Sequence, residues 1–378
     1  MVAPALTEIK IPQHLIPLDG RFGSGPSKIR TEQIDAVVRA SRNILGTSHR
    51  QAPVKNLVGS VLAQLRQLFQ LPADWEVVIG NGGASLFWDA ATFGLIEHRS
   101  AHLVFGEFSS KFAQAAQLAP HLGDPIVIES APGTVPAIQQ ADVDTYCLTH
   151  NETSTGASMQ LSRPALPTEA LVVVDGTSAA GGIAWSPTEV DVYYFSPQKG
   201  FASEGGTWIA LCSPRAVERI KRIKRINNSG RWCPPSLDLS LALENSRANQ
   251  TYNTPSLSTF VMLNEQLGWM LDNGGLTWCT KRTQESADIL YGWATSRAFT
   301  DPFVANPQHR SPVVGTIDFV GIDAAQIATV LRNNGIVDTE PYRKLGRNQL
   351  RISMFPAVDP SDVQLLTSSI DYIVEQLS

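Results

Sequence analysis

Short apolar runs that end in polar or glycine-rich loops recur along most of this sequence, and they constrain the fold more than any other feature. Residues 76–79, 103–105, 125–128, 146–149, 171–175, 192–195 and 207–211 each read as a short buried strand. Helical patterns lie between several of them, at residues 86–96 and 110–118. Strands and helices in alternation predict an α/β fold with a mostly parallel sheet. In such a sheet, functional residues gather at the carboxyl ends of the strands.

The flanking segments complete the plan. Residues 1–20 read as an irregular arm, and Arg21-Phe-Gly-Ser-Gly-Pro26 as a turn-rich loop. Thr31 is placed to cap a helix that carries Ile34, Val37, Val38 and Leu45 on one face. A second helix follows with Leu57, Val58, Val61, Leu62, Leu65, Leu68 and Phe69 at helical spacing, ending before Pro72. A long apolar helix over 256–272 stops at Asn273-Gly-Gly275. A chain of 378 residues is long for one core. The expected organisation is therefore an arm (1–20), a large domain (21–273) and a smaller C-terminal α+β domain (274–378).

Several functional classes lose support at once. A net charge of −5 gives no case for a nucleic acid or an anionic membrane as partner. The cations Lys221, Arg222, Lys224 and Arg225 fit a solvated helix face opposite Val217, Ile220 and Ile223. The first twenty residues hold Pro4, Pro12 and Pro17 and lack an apolar run, which is not a signal-peptide pattern, so a cytoplasmic location is expected. The four cysteines are widely spaced, and three lie in apolar segments, as buried thiols do. His98 and His102 have no evident third ligand for a metal, and no G-x-S-x-G nucleophile motif is present.

Chemistry concentrates in a few places. Lys199 follows the strand at 192–195, with Pro197 and Gly200 beside it and Gly205-Gly206 close behind. A lysine in a partly apolar setting loses its proton more readily and can form a Schiff base, so an aldehyde-bearing cofactor such as pyridoxal phosphate suits it. Asp175 ends its strand; it is either a helix cap or the carboxylate that keeps a pyridine nitrogen protonated. Gly82-Gly83-Ala84-Ser85 joins a strand to a helix, as an ordinary tight turn or as a phosphate cradle. His49 and Arg50 lie in a polar loop and offer donors for a carboxylate or phosphate. Arg351 interrupts an apolar strand and must be paired or face a ligand, and Arg343, Lys344 and Arg347 add positive charge nearby. Many cations with few local acids suit a substrate with two or more anionic groups.

Taken together, Ser-Pro-Gln198-Lys199-Gly-Phe-Ala-Ser-Glu-Gly-Gly, Phe-Gly-Ser24-Gly-Pro, Ser-His49-Arg50, His-Asn-Glu-Thr153 and Tyr-Asn253-Thr254-Pro resemble the phosphoserine aminotransferases, fold-type I pyridoxal-phosphate enzymes. The resemblance runs from about residue 21 to the C-terminus and looks closest to the actinobacterial branch. It implies a large domain with a seven-stranded-type sheet and a homodimer with shared active sites. It gives Lys199 the covalent link to the cofactor and the proton shuttle, and Asp175 the pyridine nitrogen. It places Phe108 on the ring, where many relatives have Trp, and Thr153 at the ring hydroxyl. Gly83, Ala84, Ser85 and Gln198 would hold the phosphate, joined by Asn253 and Thr254 of the second subunit. Ser24, Arg50 and Arg351 would bind substrate carboxylates, and His49 and Arg50 the substrate phosphate. One departure concerns the Gly-His-Arg that many relatives carry before the last strand. Here a rebuilt phosphate clamp is expected from Arg343, Lys344 or Arg347.

The activity so implied is amino transfer between glutamate and 3-phosphohydroxypyruvate in serine biosynthesis, with 4-phosphohydroxythreonine of vitamin B6 synthesis as a further substrate. The alternatives are another class-V aminotransferase, a cysteine desulfurase, for which Cys233 is the least implausible nucleophile, and a protein that binds pyridoxal phosphate or a phosphorylated ligand without turnover.

Overall fold

The structure, a computed structural model, describes residues 6–163, 169–228 and 232–377. Helices α1 (Thr31–Ala40) and α2 (Ala52–Leu68) precede β1 (Glu76–Asn81), α3 (Ala84–Gly94), β2 (Ser100–Val104), α4 (Glu107–Leu118), β3 (Ile126–Glu129) and β4 (Thr145–Thr149). A small hairpin of β5 (Asn151–Glu152) and β6 (Ala157–Ser158) follows. Then come β7 (Leu171–Asp175), β8 (Val192–Phe195), β9 (Thr207–Cys212), α5 (Pro214–Asn228), α6 (Leu239–Arg247) and α7 (Leu257–Asp272).

Seven strands form one sheet in the order β1-β9-β8-β7-β4-β2-β3. From β8 to β3 every pair is parallel, and β9 runs antiparallel to both of its neighbours. The reason lies in residues 196–206, which hold no helix. Without a crossover, a strand has to return antiparallel. Alternate residues of each strand feed two cores. Val77, Ile79, Val172, Val174, Tyr193 and Phe195 pack toward α2 and α7. Val78, Val173, Tyr194 and Trp208 pack toward α3, α4 and α5. Burial on both faces is what makes these strands continuous apolar runs in the sequence.

The C-terminal part contains α8 (Gly275–Thr295), β10 (Thr300–Pro302), β11 (Val314–Phe319), α9 (Ala324–Asn333), β12 (Gln349–Ser353) and α10 (Pro360–Leu377). Its three strands form an antiparallel sheet in that order. The face of α10 that carries Val363, Leu366, Ile370, Ile373 and Val374 is buried against it. Gly274 and Gly275 adopt positive φ of 117° and 68°, which separates α7 from α8 at the Gly-Gly pair.

Two local expectations need correction. Thr31 is the first helical residue of α1 rather than its cap, and the Gln33 side chain takes the Arg30 N–H instead. The buried face of α1 carries Gln33, Ala36 and Ala40, whereas Ile34 and Val38 are 48% and 64% exposed. Small residues let α1 lie close against α7, and Gln33 is fixed by the Ala202 and Met262 carbonyls. The irregular N-terminal arm is anchored. Ile9 and Ile11 enter the C-terminal core, the Ile11 N–H donates to Asn334, and Leu18 N–H donates to Asp362. Residues 1–5 of that arm lie outside the described residues.

Candidate active site

The carboxyl ends of the parallel strands converge on one cavity of about 140 Å³. Asp175 ends β7, Thr149 ends β4, and Lys199 follows β8. Phe108 comes from the first turn of α4, and Gly83, Ala84 and Ser85 from the start of α3. The structure places all of these on the cavity wall with Thr153 and Gln198, and adds Trp88, Asn151, Thr177 and Ser178.

Lys199 is 8% exposed. Its Nζ donates to Thr153 Oγ1 at 3.0 Å and stands 5.2 Å from the centre of the Phe108 ring. Burial, helped by the nearby charge of Arg351, lowers its pKa from 10.5 to about 8, against the opposing pull of Asp175 and Glu152. A large share of the amine is thus neutral, and nucleophilic, at mildly alkaline pH. Gly25 makes room for the side chain, since a Cβ there would sit 3.0 Å from Lys199 Cε, and its φ of 144° disfavours any other residue. The Ser27 hydroxyl ties the same loop to the Lys199 carbonyl at 2.6 Å.

Asp175 is buried and held by three donors. Thr177 N–H reaches Oδ1 at 2.8 Å, and Trp88 Nε1–H and the Tyr194 hydroxyl reach Oδ2 at 3.2 and 3.1 Å. These bonds hold the Asp175 side chain in one orientation on the cavity wall. It is no helix cap.

Phe108 owes its place to Glu152, which sequence reasoning passed over although it stands between Asn151 and Thr153 in a quoted motif. The buried Glu152 carboxylate accepts from the backbone N–H groups of Phe108 and Ser109 at 3.1 and 2.9 Å, and from the hydroxyls of Ser109 and Ser154 at 2.9 and 2.7 Å. It satisfies two of the free donors at the start of α4 and complements the helix dipole. Gly106 is needed where Glu152 passes, because a Cβ there would lie 2.3 Å from Glu152 Cγ. Trp88, Tyr194, Asn151 and Ser178 were likewise missed; only the pairing of β7 with β8 brings Tyr194 beside Asp175.

On the substrate side, the Ser24 hydroxyl is buried without a hydrogen-bond partner beside Gly25. Arg351 Nη1 makes one long bond, 3.4 Å to the Thr153 carbonyl, and its Nε is buried without a partner. The expected surplus of local cations is smaller than the sequence suggests. Lys344 pairs with Glu107 and Arg347 with Asp318, acids that come from distant segments. Arg343 stays exposed with no acid paired to it among the described residues. His49, Arg50, Asn253 and Thr254 do not line the Lys199 cavity. They form a separate group, in which Thr254 Oγ1 meets His49 Nδ1 at 3.0 Å, Asn81 holds the backbone of Asn253 and Thr254, and Arg50 is exposed. His49 Nε2 is buried without a partner.

The cavity fits pyridoxal phosphate. Thr177 Oγ1, Asn151 Oδ1 and Gln198 Oε1 are buried polar atoms with no protein partner, and buried polar groups in native proteins are normally satisfied. In front of Gly83 a Cβ would meet nothing within 4 Å, so the α3 N-terminus opens onto free space suited to a phosphate. The Phe108 ring, the hydrogen-bonded Asp175 side chain and the neutral-prone Lys199 amine stand in the same enclosure. Other chemistry finds less material. Cys147, Cys212 and Cys279 are buried, with thiol pKa values raised by burial, and Cys233 sits outside the cavity lining. His102 is buried against Ser100, with burial lowering its pKa to about 3.

Comparison with known proteins agrees with this geometry. The chain is 55% identical to the phosphoserine aminotransferase of Rhodococcus jostii, covering 97% of this chain and 98% of the relative. Its fold matches the crystal structure of a phosphoserine aminotransferase from Cytophaga hutchinsonii with a TM-score of 0.85, at 24% identity over 94% of this chain and 99% of that one. It also matches the pyridoxal-phosphate-bound phosphoserine aminotransferase of Trichomonas vaginalis with a TM-score of 0.81, at 21% identity over 93% of this chain and 99% of that one. The pattern of the aminotransferase class-V family covers residues 22–366, and with a buried lysine and a fixed carboxylate meeting at the strand ends, this chain belongs to that family.

Proposed function

We infer that this chain moves an amino group reversibly from glutamate to 3-phosphohydroxypyruvate, giving 3-phosphoserine and 2-oxoglutarate on the route to L-serine. The observation that carries the reaction type is the buried Lys199 amine, with its lowered pKa, in one enclosure with Asp175, Thr153 and Phe108. The relatives named phosphoserine aminotransferase, similar over almost the whole chain, support the choice of substrate.

Bound pyridoxal phosphate supplies an aldehyde that takes up the amino group and a protonated pyridine that draws electrons from the substrate α-carbon. Lys199 removes and returns the proton at that carbon, a task for which a pKa near the working pH is suited. Asp175 holds the proton on the ring nitrogen. Thr153 orients the Lys199 amine and offers its hydroxyl to the ring. Phe108 gives the ring an apolar face. The Gly83 and Ala84 amides, with Ser85 and Gln198, bind the cofactor phosphate. Ser24 and Arg351 take the substrate carboxylate.

The substrate phosphate falls to His49 and Arg50, with Arg343 as the cation of the rebuilt clamp that no acid neutralises among the described residues. A homodimer supports these roles. His49, Arg50, Asn253 and Thr254 lie off the cavity wall of their own chain, and the exposed Ile34 and Val38 of α1 form an apolar surface that a second copy would cover. No helix among the described residues is long and apolar enough to cross a membrane.

Initial rates with glutamate and a series of keto acids test the substrate. 3-Phosphohydroxypyruvate is expected to exceed pyruvate and oxaloacetate in kcat/KM by about 100-fold or more, since each charge-assisted bond to a phosphate is worth about 1.5–3 kcal/mol. Equal values for phosphorylated and unphosphorylated acceptors would overturn the assignment.

A further inference from the structure

The turn before β12 does more than carry charge. Its 3-10 segment, Arg343–Leu345, ends at Gly346, whose φ of 65° returns the chain toward β12. Tyr342 begins this turn and belongs to none of the buried apolar clusters. Its ring centre lies 6.1 Å from that of Phe108, at an interplanar angle of 57°. The Arg351 guanidinium stands 5.4 Å from the same ring. Arg351, Tyr342 and Phe108 are therefore linked by successive contacts, and Lys199 stands 5.2 Å from Phe108.

Arg351 has little else to hold it. No carboxylate pairs with it among the described residues, its one hydrogen bond is 3.4 Å long, and Nε is unpartnered. Burial pushes its pKa down, while the nearby Tyr342 pushes it up. An arginine side chain without a fixed partner samples many rotamers, and ordering it on ligand binding weakens the binding. A ring against the guanidinium restricts that freedom and leaves the hydrogen-bonding edge open.

The turn is itself pinned. Lys344 Nζ meets Glu107 Oε1 at 2.5 Å, and Glu107 is the residue before Phe108. Lys111 shares the same carboxylate at 3.2 Å. One ion pair thus fastens the C-terminal part to the first turn of α4, where the ring-facing aromatic sits.

We propose that Tyr342 is a positioning residue for substrate binding: its ring sets the Arg351 guanidinium at a fixed distance from Phe108, and the Lys344–Glu107 pair holds that ring in place. The substrate carboxylate and the reacting carbon are thereby registered across the two parts of the chain. This deepens the function proposed above and rests on Arg351 binding a carboxylate.

The test is steady-state kinetics of the cofactor-loaded enzyme with wild type, Tyr342→Leu, Tyr342→Phe and Lys344→Met. Tyr342→Leu keeps apolar bulk but removes the aromatic face. It is expected to raise KM for both glutamate and 3-phosphohydroxypyruvate by about tenfold, with kcat within about threefold, the signature of lost binding shared by ground and transition states. Tyr342→Phe retains the ring and is expected to match wild type. Lys344→Met, a surface change that spares the fold, is expected to raise both KM values about threefold and to flatten their rise with salt. Unchanged KM in Tyr342→Leu, or Tyr342→Phe as impaired as Tyr342→Leu, overturns the proposal. The wild-type arm keeps the two readings apart. A wild type inactive with 3-phosphohydroxypyruvate refutes the proposed function, whereas an active wild type with an indifferent Tyr342→Leu refutes only the role of Tyr342.

Discussion

Replacement of Lys199 by alanine is expected to lower kcat for amino transfer by at least about 10⁴-fold while the protein stays folded. Two losses combine. The chain loses the nucleophile that would hold the cofactor, and it loses the base proposed to serve the substrate α-carbon, alone worth about 10²–10⁴-fold. Among the described residues, no second amine lines the cavity to take over either task. The fold tolerates the change because Lys199 makes one side-chain hydrogen bond, to Thr153, and its removal relieves the cost of burying a cation. Kinetics beside a thermal melt measure both effects. A Lys199→Ala protein with full transamination would sink the central role given to this residue.

Asp175→Asn is expected to cost about 10²–10³-fold in kcat at saturating cofactor, the scale seen when one preorganised electrostatic partner is removed. The substitution keeps size and shape. An amide oxygen still accepts from Thr177 N–H, but the amide nitrogen faces the donors Trp88 Nε1–H and Tyr194 O–H. The neutral side chain also ceases to stabilise a proton on a pyridine nitrogen. The check compares kcat of the loaded variant and wild type at several cofactor concentrations. Activity within threefold of wild type would mean that Asp175 is structural. Loss that vanishes at high cofactor would assign it to binding alone.

Sheet and helices were legible because burial on both faces writes uninterrupted apolar runs, as in Leu171–Asp175 and Val192–Phe195. The direction of β9 was less so, since it depends on what residues 196–206 do not form. The α1 face misled because a periodic set of Ile34 and Val38 reads as core, while the neighbour that decides the matter, α7, is far along the chain. In the site, Lys199 and Asp175 stood out as charged residues at the ends of apolar strands. Glu152, Trp88 and Tyr194 did not, because each acts on a residue distant in sequence. The same limit hid the acids that neutralise Lys344 and Arg347. Glu107 and Asp318 are remote from that basic turn in the sequence and adjacent to it in space.

The most direct test of the central claim is the visible absorbance of the purified protein loaded with pyridoxal phosphate, followed through two additions. Glutamate is expected to abolish the yellow band, and 3-phosphohydroxypyruvate added next is expected to restore it, as required if Lys199 and Asp175 serve an amino transfer whose acceptor bears a phosphate. A protein that stays colourless with added pyridoxal phosphate, or whose band returns only with an unphosphorylated keto acid, would contradict the account.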